Sequence, residues 1–135
     1  MTELVHILNY SHPLTDTQLL EIEALSGHAV GEVVDLQRQF EDQDPFMEQL
    51  FELQEGIPFS SDELQTEPFL IVPPALNFLA AMVISDLHGR MGYFPPIIRI
   101  RRVEDSTPPR YEVAEIINLQ DVRDAARARR NSRGG

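Results

Sequence analysis

A repeated strand-then-helix alternation limits this chain more than any other feature. Leu4 to Leu8 is a short apolar run closed by the polar segment Asn9-Tyr10-Ser11-His12-Pro13, which reads as a buried strand and a turn. Thr15 then offers a helix N-cap, with Asp16 and Gln18 in the first turn and Leu19, Leu20, Ile22 and Leu25 as an apolar stripe ended by Gly27. Val30, Val33, Val34 and Leu36 mark a second strand. After the acidic loop Glu41-Asp42-Gln43-Asp44, Pro45 opens a helix with a stripe of Phe46, Leu50 and Leu53. Ser60 to Glu63 reads as a loop or a short extra turn. Phe69 to Val72 is apolar without alternation, the pattern of a strand covered on both faces.

Pro73-Pro74 breaks that strand, and Ala75 to His88 reads as a helix ending at Gly89. This helix is apolar nearly all round, through Leu76, Phe78, Leu79, Met82, Val83, Ile84 and Leu87, so one face packs on a sheet and the rest calls for a second subunit. Ile97 to Val103 and Tyr111 to Leu119 form a hairpin, in which Arg99, Arg101 and Arg102 pair with neighbours such as Glu112 or Glu115. Asp121 to Arg130 is a last helix, with Arg123, Arg127 and Arg130 on one solvated face. Such alternation builds a mostly parallel sheet with helices on both sides. The expected architecture is a single Rossmann-like, three-layer α/β domain over residues 1–130, with a C-terminal antiparallel hairpin and a flexible tail at 131–135.

Charge narrows the function. All 11 basic residues are Arg, which removes Schiff-base and Walker-type lysine chemistry. Residues 1–86 carry a net −15 and residues 87–135 a net +4. A total of −11 argues against duplex DNA as a partner, because phosphate contacts need clustered cations. The split itself fits electrostatic complementarity inside the fold or between subunits. Without Cys there is no disulfide framework, thiolate metal site or cysteine nucleophile. No run approaches the roughly 20 apolar residues that span a bilayer. The Met-Thr-Glu-Leu start has no signal-peptide character, so a cytoplasmic location is expected, with no membrane partner.

In sheets of this class a ligand lies beyond the carboxyl ends of the strands, where strand order reverses. Two polar segments fall there: Asn9 to Thr15, and Pro73-Pro74-Ala75-Leu76-Asn77 at the start of a helix. Free backbone N–H groups and a positive helix end favour phosphate at both. GxGxxG and GxxxxGK[ST] are absent, so the dinucleotide and P-loop readings fail. Ser11 and His12 are adjacent and point to opposite sides of an extended backbone, which suits turn or ligand contact better than a nucleophile–base pair. His6 reads as a packed core imidazole and His28 as a surface residue. The four His show neither H-x₃-H nor HExxH spacing, so no metal site and no cofactor are expected. In Leu87-His88-Gly89-Arg90, His88 and Arg90 are candidates to reach a ligand or a partner chain.

Three strings, Asn9-Tyr10-Ser11-His12-Pro13-Leu14-Thr15, the block from His88-Gly89-Arg90 to Arg102, and Thr107-Pro108-Pro109-Arg110-Tyr111-Glu112-Val113-Ala114-Glu115-Ile116-Ile117-Asn118-Leu119, resemble a family of small type III CRISPR ancillary proteins. The likeness covers about residues 3–130. It implies a fold related to CARF domains, a homodimer, and cyclic oligoadenylate as ligand, the tetra-adenylate before other ring sizes. Relatives either sequester the ring or cleave it as metal-independent ring nucleases. The ligand-binding candidates are therefore Asn9, Ser11, His12, Thr15, Pro74, Asn77, His88 and Arg90, and His12, His88 and Arg90 are the catalytic candidates if the ring is cut.

Overall fold

The computed structural model describes residues 3–132. Five strands form one sheet in the order β2-β1-β3-β4-β5. They are β1 (Val5–Asn9), β2 (Val30–Asp35), β3 (Phe69–Val72), β4 (Ile97–Arg102) and β5 (Tyr111–Ile117). The first four run parallel and β5 pairs antiparallel with β4. The helices are α1 (Asp16–Ser26), α2 (Phe46–Gln54), α3 (Ser61–Thr66), α4 (Asn77–Met91) and α5 (Leu119–Ser132). This is the expected mostly parallel, Rossmann-like sheet with a C-terminal antiparallel pair.

Alternation along the central strands divides the core in two. His6, Leu8 and Tyr10 of β1 and its end point with Phe69 and Ile71 toward α2, α3 and α4, where Leu50, Leu53, Leu64, Leu79, Val83 and Leu87 close one layer. Val5, Ile7, Leu70 and Val72 face the other way and pack with Ile22 of α1 and with Ile98 and Val113. Both faces of β1 and β3 are covered, which is why neither strand alternates in sequence. His6 is a core imidazole as expected: it stacks near Phe59 and Phe69, and its Nε2 lies 3.0 Å from the Glu67 carboxylate.

The termini of α1 follow the sequence closely. Thr15 Oγ1 accepts from Gln18 N, Gln18 Oε1 accepts from Thr15 N, and Gly27 takes the left-handed conformation at φ 76°. The buried face of α1 carries Gln18 and Ile22, while Leu20 and Leu25 are exposed, so the expected stripe is only partly inward.

Of the two alternatives for Ser60 to Glu63 the extra turn holds: it opens the short helix α3, held by a second capping box between Ser60 and Glu63. Three local readings need correction. The fourth helix does not stop at Gly89; it continues to Met91, whose side chain is buried, and Gly92 at φ 84° ends it. Leu79, Val83, Leu87 and Met91 already cover the sheet, so the apolar residues left in water on this helix are Leu76 and Phe78 near its start, 50% and 70% exposed, together with Ala81. His28 is half-buried rather than a surface residue, and its Nδ1 is enclosed without a hydrogen-bond partner. Finally, α5 extends helical backbone to Ser132, into the expected tail; residues 133–135 lie outside the described residues.

Candidate functional site

The sheet order places β1 between β2 and β3, so the strand order reverses at β1 and the switch point lies between the carboxyl ends of the parallel strands β1 and β3. Strand β4 starts level with Ile71 in the middle of β3, and its remaining residues project past the end of β3. The β4–β5 hairpin therefore stands as a wall above the switch point. Opposite it is the loop from β1 into α1. Between them lies a cleft of about 970 Å³, lined among others by Ser11, His12, Thr15, Gln18, Arg110 and Tyr111.

Three of the expected ligand residues, Ser11, His12 and Thr15, line this cleft. His12 and Thr15 are exposed and Ser11 is half-buried. The cleft sits against the first turn of α1, where Thr15 and Gln18 satisfy each other and the helix dipole leaves a positive end.

Asn9 has a different role from the one expected. It is fully buried, its Oδ1 accepts from Ser11 N at 3.0 Å, and its Nδ2 donates to the His12 carbonyl at 2.9 Å and to Asp35 Oδ1 at 3.0 Å. Both ends of the amide are engaged and the side chain is fully buried, so Asn9 shapes the loop from beneath. Gln37 Nε2 also donates to the Ser11 carbonyl, joining the end of β2 to the same loop.

The second polar segment lies beside the cleft rather than in it. Val72 and Pro73 form part of the wall, Pro74 is buried, and exposed Asn77 turns its Oδ1 onto Phe78 N. His88 and Arg90 are separated from it altogether. The helix α4 leaves the carboxyl end of β3 and runs back along the sheet, which carries Arg90 about 20 Å along the axis from Asn77. His88 stacks on Phe94 with ring centroids 4.1 Å apart, and neither His88 nor Arg90 lines the cleft. Arg90 instead lies near the Tyr10 phenol, which burial holds far above its ordinary pKa and which donates to Gln54 Oε1 at 2.7 Å. Gln54 Nε2 in turn donates to Asp86 at 2.9 Å, so this network locks α2 and α4 to the end of β1. The set His12, His88 and Arg90 is not assembled within one chain.

The hairpin wall supplies residues absent from the expected set. Arg99 pairs with Glu115 at 2.6 Å and Arg101 with Glu112 at 2.9 Å, the partners expected from the strand pattern. Arg99 also lines the cleft, as does Arg110, which is exposed there. Its backbone N–H donates to Ser106 Oγ at 3.0 Å, and that hydroxyl donates to the Val103 carbonyl at 2.7 Å. Buried Ser106 thus sets the turn that presents Arg110 and the half-exposed ring of Tyr111. The signal in sequence was the string Pro109-Arg110-Tyr111 directly before a strand, which marks position but not direction.

Among the described residues, no group of three or more His, Asp or Glu side chains is placed to hold a metal ion, and no helix is long and apolar enough to cross a membrane. No protein family, curated protein or solved structure matches this chain.

Proposed function

We propose that this chain is a cytoplasmic receptor that sequesters a cyclic oligoadenylate, the cyclic tetra-adenylate before other ring sizes, and so regulates type III CRISPR antiviral signalling. The observation that carries the reading is the switch-point cleft, with the α1 N-terminus and Ser11, His12 and Thr15 on one side and Arg110 and Tyr111 on the other. A nucleotide needs both kinds of contact. Helix-end N–H groups and Arg110 suit phosphate, and the Tyr111 ring, 56% exposed, suits stacking of an adenine. The cleft draws Arg99 and Arg110 from the Arg-rich hairpin, and the two carboxylates on its lining are engaged, Glu21 with Val113 N and Glu112 with Arg101.

Two copies are proposed to surround one ring. Exposed Leu76 and Phe78 stand at the start of α4, beside the loop that forms part of the cleft wall. A two-fold contact there sets two clefts about a ligand with matching symmetry.

Holding the ring is favoured over cutting it because His12 is the one catalytic candidate at the cleft. In-line cleavage needs the ribose 2′-OH aligned with its phosphate and groups to move protons and stabilise charge. Isothermal titration with cyclic tetra-adenylate tests the reading, and absence of heat at micromolar protein overturns it. Chromatography of the ligand after long incubation in EDTA separates the two activities: intact ring supports the receptor, and linear product with a 2′,3′-cyclic phosphate supports a ring nuclease.

A further inference from the structure

At the end of the sheet opposite the cleft, helix α5 is tied at its start, where Gln120 Oε1 accepts from Phe94 N at 3.2 Å, and is exposed beyond it. Every residue from Asp121 to Arg130 is exposed, including Val122 at 58%. A helix of this length is marginal in water on its own propensity, so its stability calls for a packed face. Its sequence supplies one. At 100° per residue Leu119, Val122 and Ala126 form a stripe, Arg123, Arg127 and Arg130 run along one flank, and Asp121 and Asp124 fall toward the far side.

The foot of α5 opens on an apolar groove of about 510 Å³ lined by Leu25, His28, Phe69, Tyr93, Ile116 and Asn118, among others. Leu25 on its lining is 51% exposed. Most of the lining, Val5 to Leu70, comes from the acidic residues 1–86, and Glu23 and Glu67 adjoin it in sequence, held by Val30 N at 2.8 Å and beside His6 Nε2 at 3.0 Å. An apolar stripe flanked by arginines complements an apolar groove built largely from the part of the chain that carries a net −15. Because Ile116 and Asn118 line the groove and α5 begins at Leu119, a helix cannot fold back into the groove at its own foot without breaking the turn that starts it.

We infer that α5 docks in this groove of a second copy of the chain, and that the exchange is reciprocal about a two-fold axis. This contact is independent of the cleft and its ligand. It also accounts for the charge split of the sequence: the arginines of α5 meet the acidic first two-thirds of another copy.

Sedimentation of the full chain without ligand tests the inference. The wild type should be dimeric at tens of micromolar and weaken as salt rises, while a Val122→Glu, Ala126→Glu double variant should be a monomer with an unchanged circular-dichroism spectrum. Phe78→Glu, on the other helix, should leave this dimer intact. The chain has no Cys, so a Leu25→Cys, Val122→Cys variant should oxidise to a covalent dimer on a non-reducing gel. A monomeric wild type, a dimer that survives Val122→Glu, Ala126→Glu, or a disulfide confined to single chains overturns it. So does a monomeric wild type that instead retards single-stranded RNA through its arginines.

Discussion

Gln18 joins the two walls of the cleft: its Nε2 donates to the Tyr111 carbonyl at 3.1 Å while its Oε1 accepts from Thr15 N at 2.9 Å. One buried amide thereby caps α1 and fixes the hairpin against it. Glu21 adds a second tie, accepting from Val113 N at 3.2 Å.

Gln18→Ala should therefore damage both stability and ligand binding. It strands the Thr15 N–H and the Tyr111 carbonyl, at a cost of about 1–3 kcal/mol. With the walls no longer held in register, affinity for cyclic tetra-adenylate should fall about tenfold or more, equivalent to about 1.4 kcal/mol. Urea denaturation and titration calorimetry on the same variant measure the two effects. Unchanged affinity in a destabilised variant would show that the walls are held in place by other contacts.

Asn9 predicts a contrast between two substitutions. Asn9→Ala removes the amide that organises the Ser11–His12 turn and should cost about 1–3 kcal/mol. Asn9→Asp replaces the Nδ2 donor by a carboxylate facing Asp35 Oδ1 and the His12 carbonyl, so it should be the more damaging at neutral pH. Lowering the pH toward the carboxylate range should recover part of that loss. A variant ranking in the reverse order, read by denaturation midpoints, contradicts the assignment.

Glu63 gives a pH-dependent signature. Its hydrogen bonds to the Ser60 backbone and side chain hold its carboxyl below the ordinary value of 4.5. A depressed carboxylate stabilises the fold above the unfolded value and loses that contribution as pH falls through the folded one. Wild type should accordingly exceed Glu63→Gln in thermal stability at neutral pH, with the gap closing below about pH 4.5. A gap constant across that range would remove the capping charge as its cause.

The sequence made some of these elements legible and hid others for identifiable reasons. The α1 cap, the doubly covered β1 and β3 and the Arg99–Glu115 and Arg101–Glu112 ladder all follow from local pattern, because the residues that decide them are neighbours in sequence or directly across a hairpin. The end of α4 was not decidable that way. Gly89 and Gly92 both suit a C-cap, and the choice is made by Met91, whose side chain is buried against the core. The Ser60–Glu63 box was readable, but six residues of helix are too few to announce themselves through periodicity. In the site, loop membership groups Ser11, His12 and Thr15, and the structure sets all three on the cleft. His88 and Arg90 lie away from it, because distance along a helix that runs back across the sheet does not show in a string of letters.

The same separation decides what a charge does at Val83 and at Phe78. Val83 belongs to the same apolar surface of the helix as Phe78, yet it is fully buried between α4 and the sheet. Val83→Glu should unfold the chain, since an unpaired carboxylate in the core costs several kcal/mol. Phe78→Glu changes a side chain 70% exposed and should leave the fold within about 0.5 kcal/mol of wild type. If Phe78 meets a partner around the ligand, its variant should bind cyclic tetra-adenylate more weakly while remaining folded.

Arg110 provides the sharpest test of the cleft, because Arg101 on the same hairpin lies off its lining and serves as a control. Arg99 and Arg101 are engaged with Glu115 and Glu112, pairs half in solvent and worth at most about 1 kcal/mol each. Arg110 is exposed at the cleft and its backbone, not its guanidinium, carries the turn through Ser106. Arg110→Ala should leave stability almost untouched and weaken cyclic tetra-adenylate binding. The slope of log affinity against log salt should fall by about 0.7 if one phosphate contact is lost. Arg101→Ala should shift neither the slope nor the affinity to that extent. Equal salt slopes for wild type and Arg110→Ala would mean that the phosphate lies elsewhere, most directly on the α1 N-terminus beside Thr15.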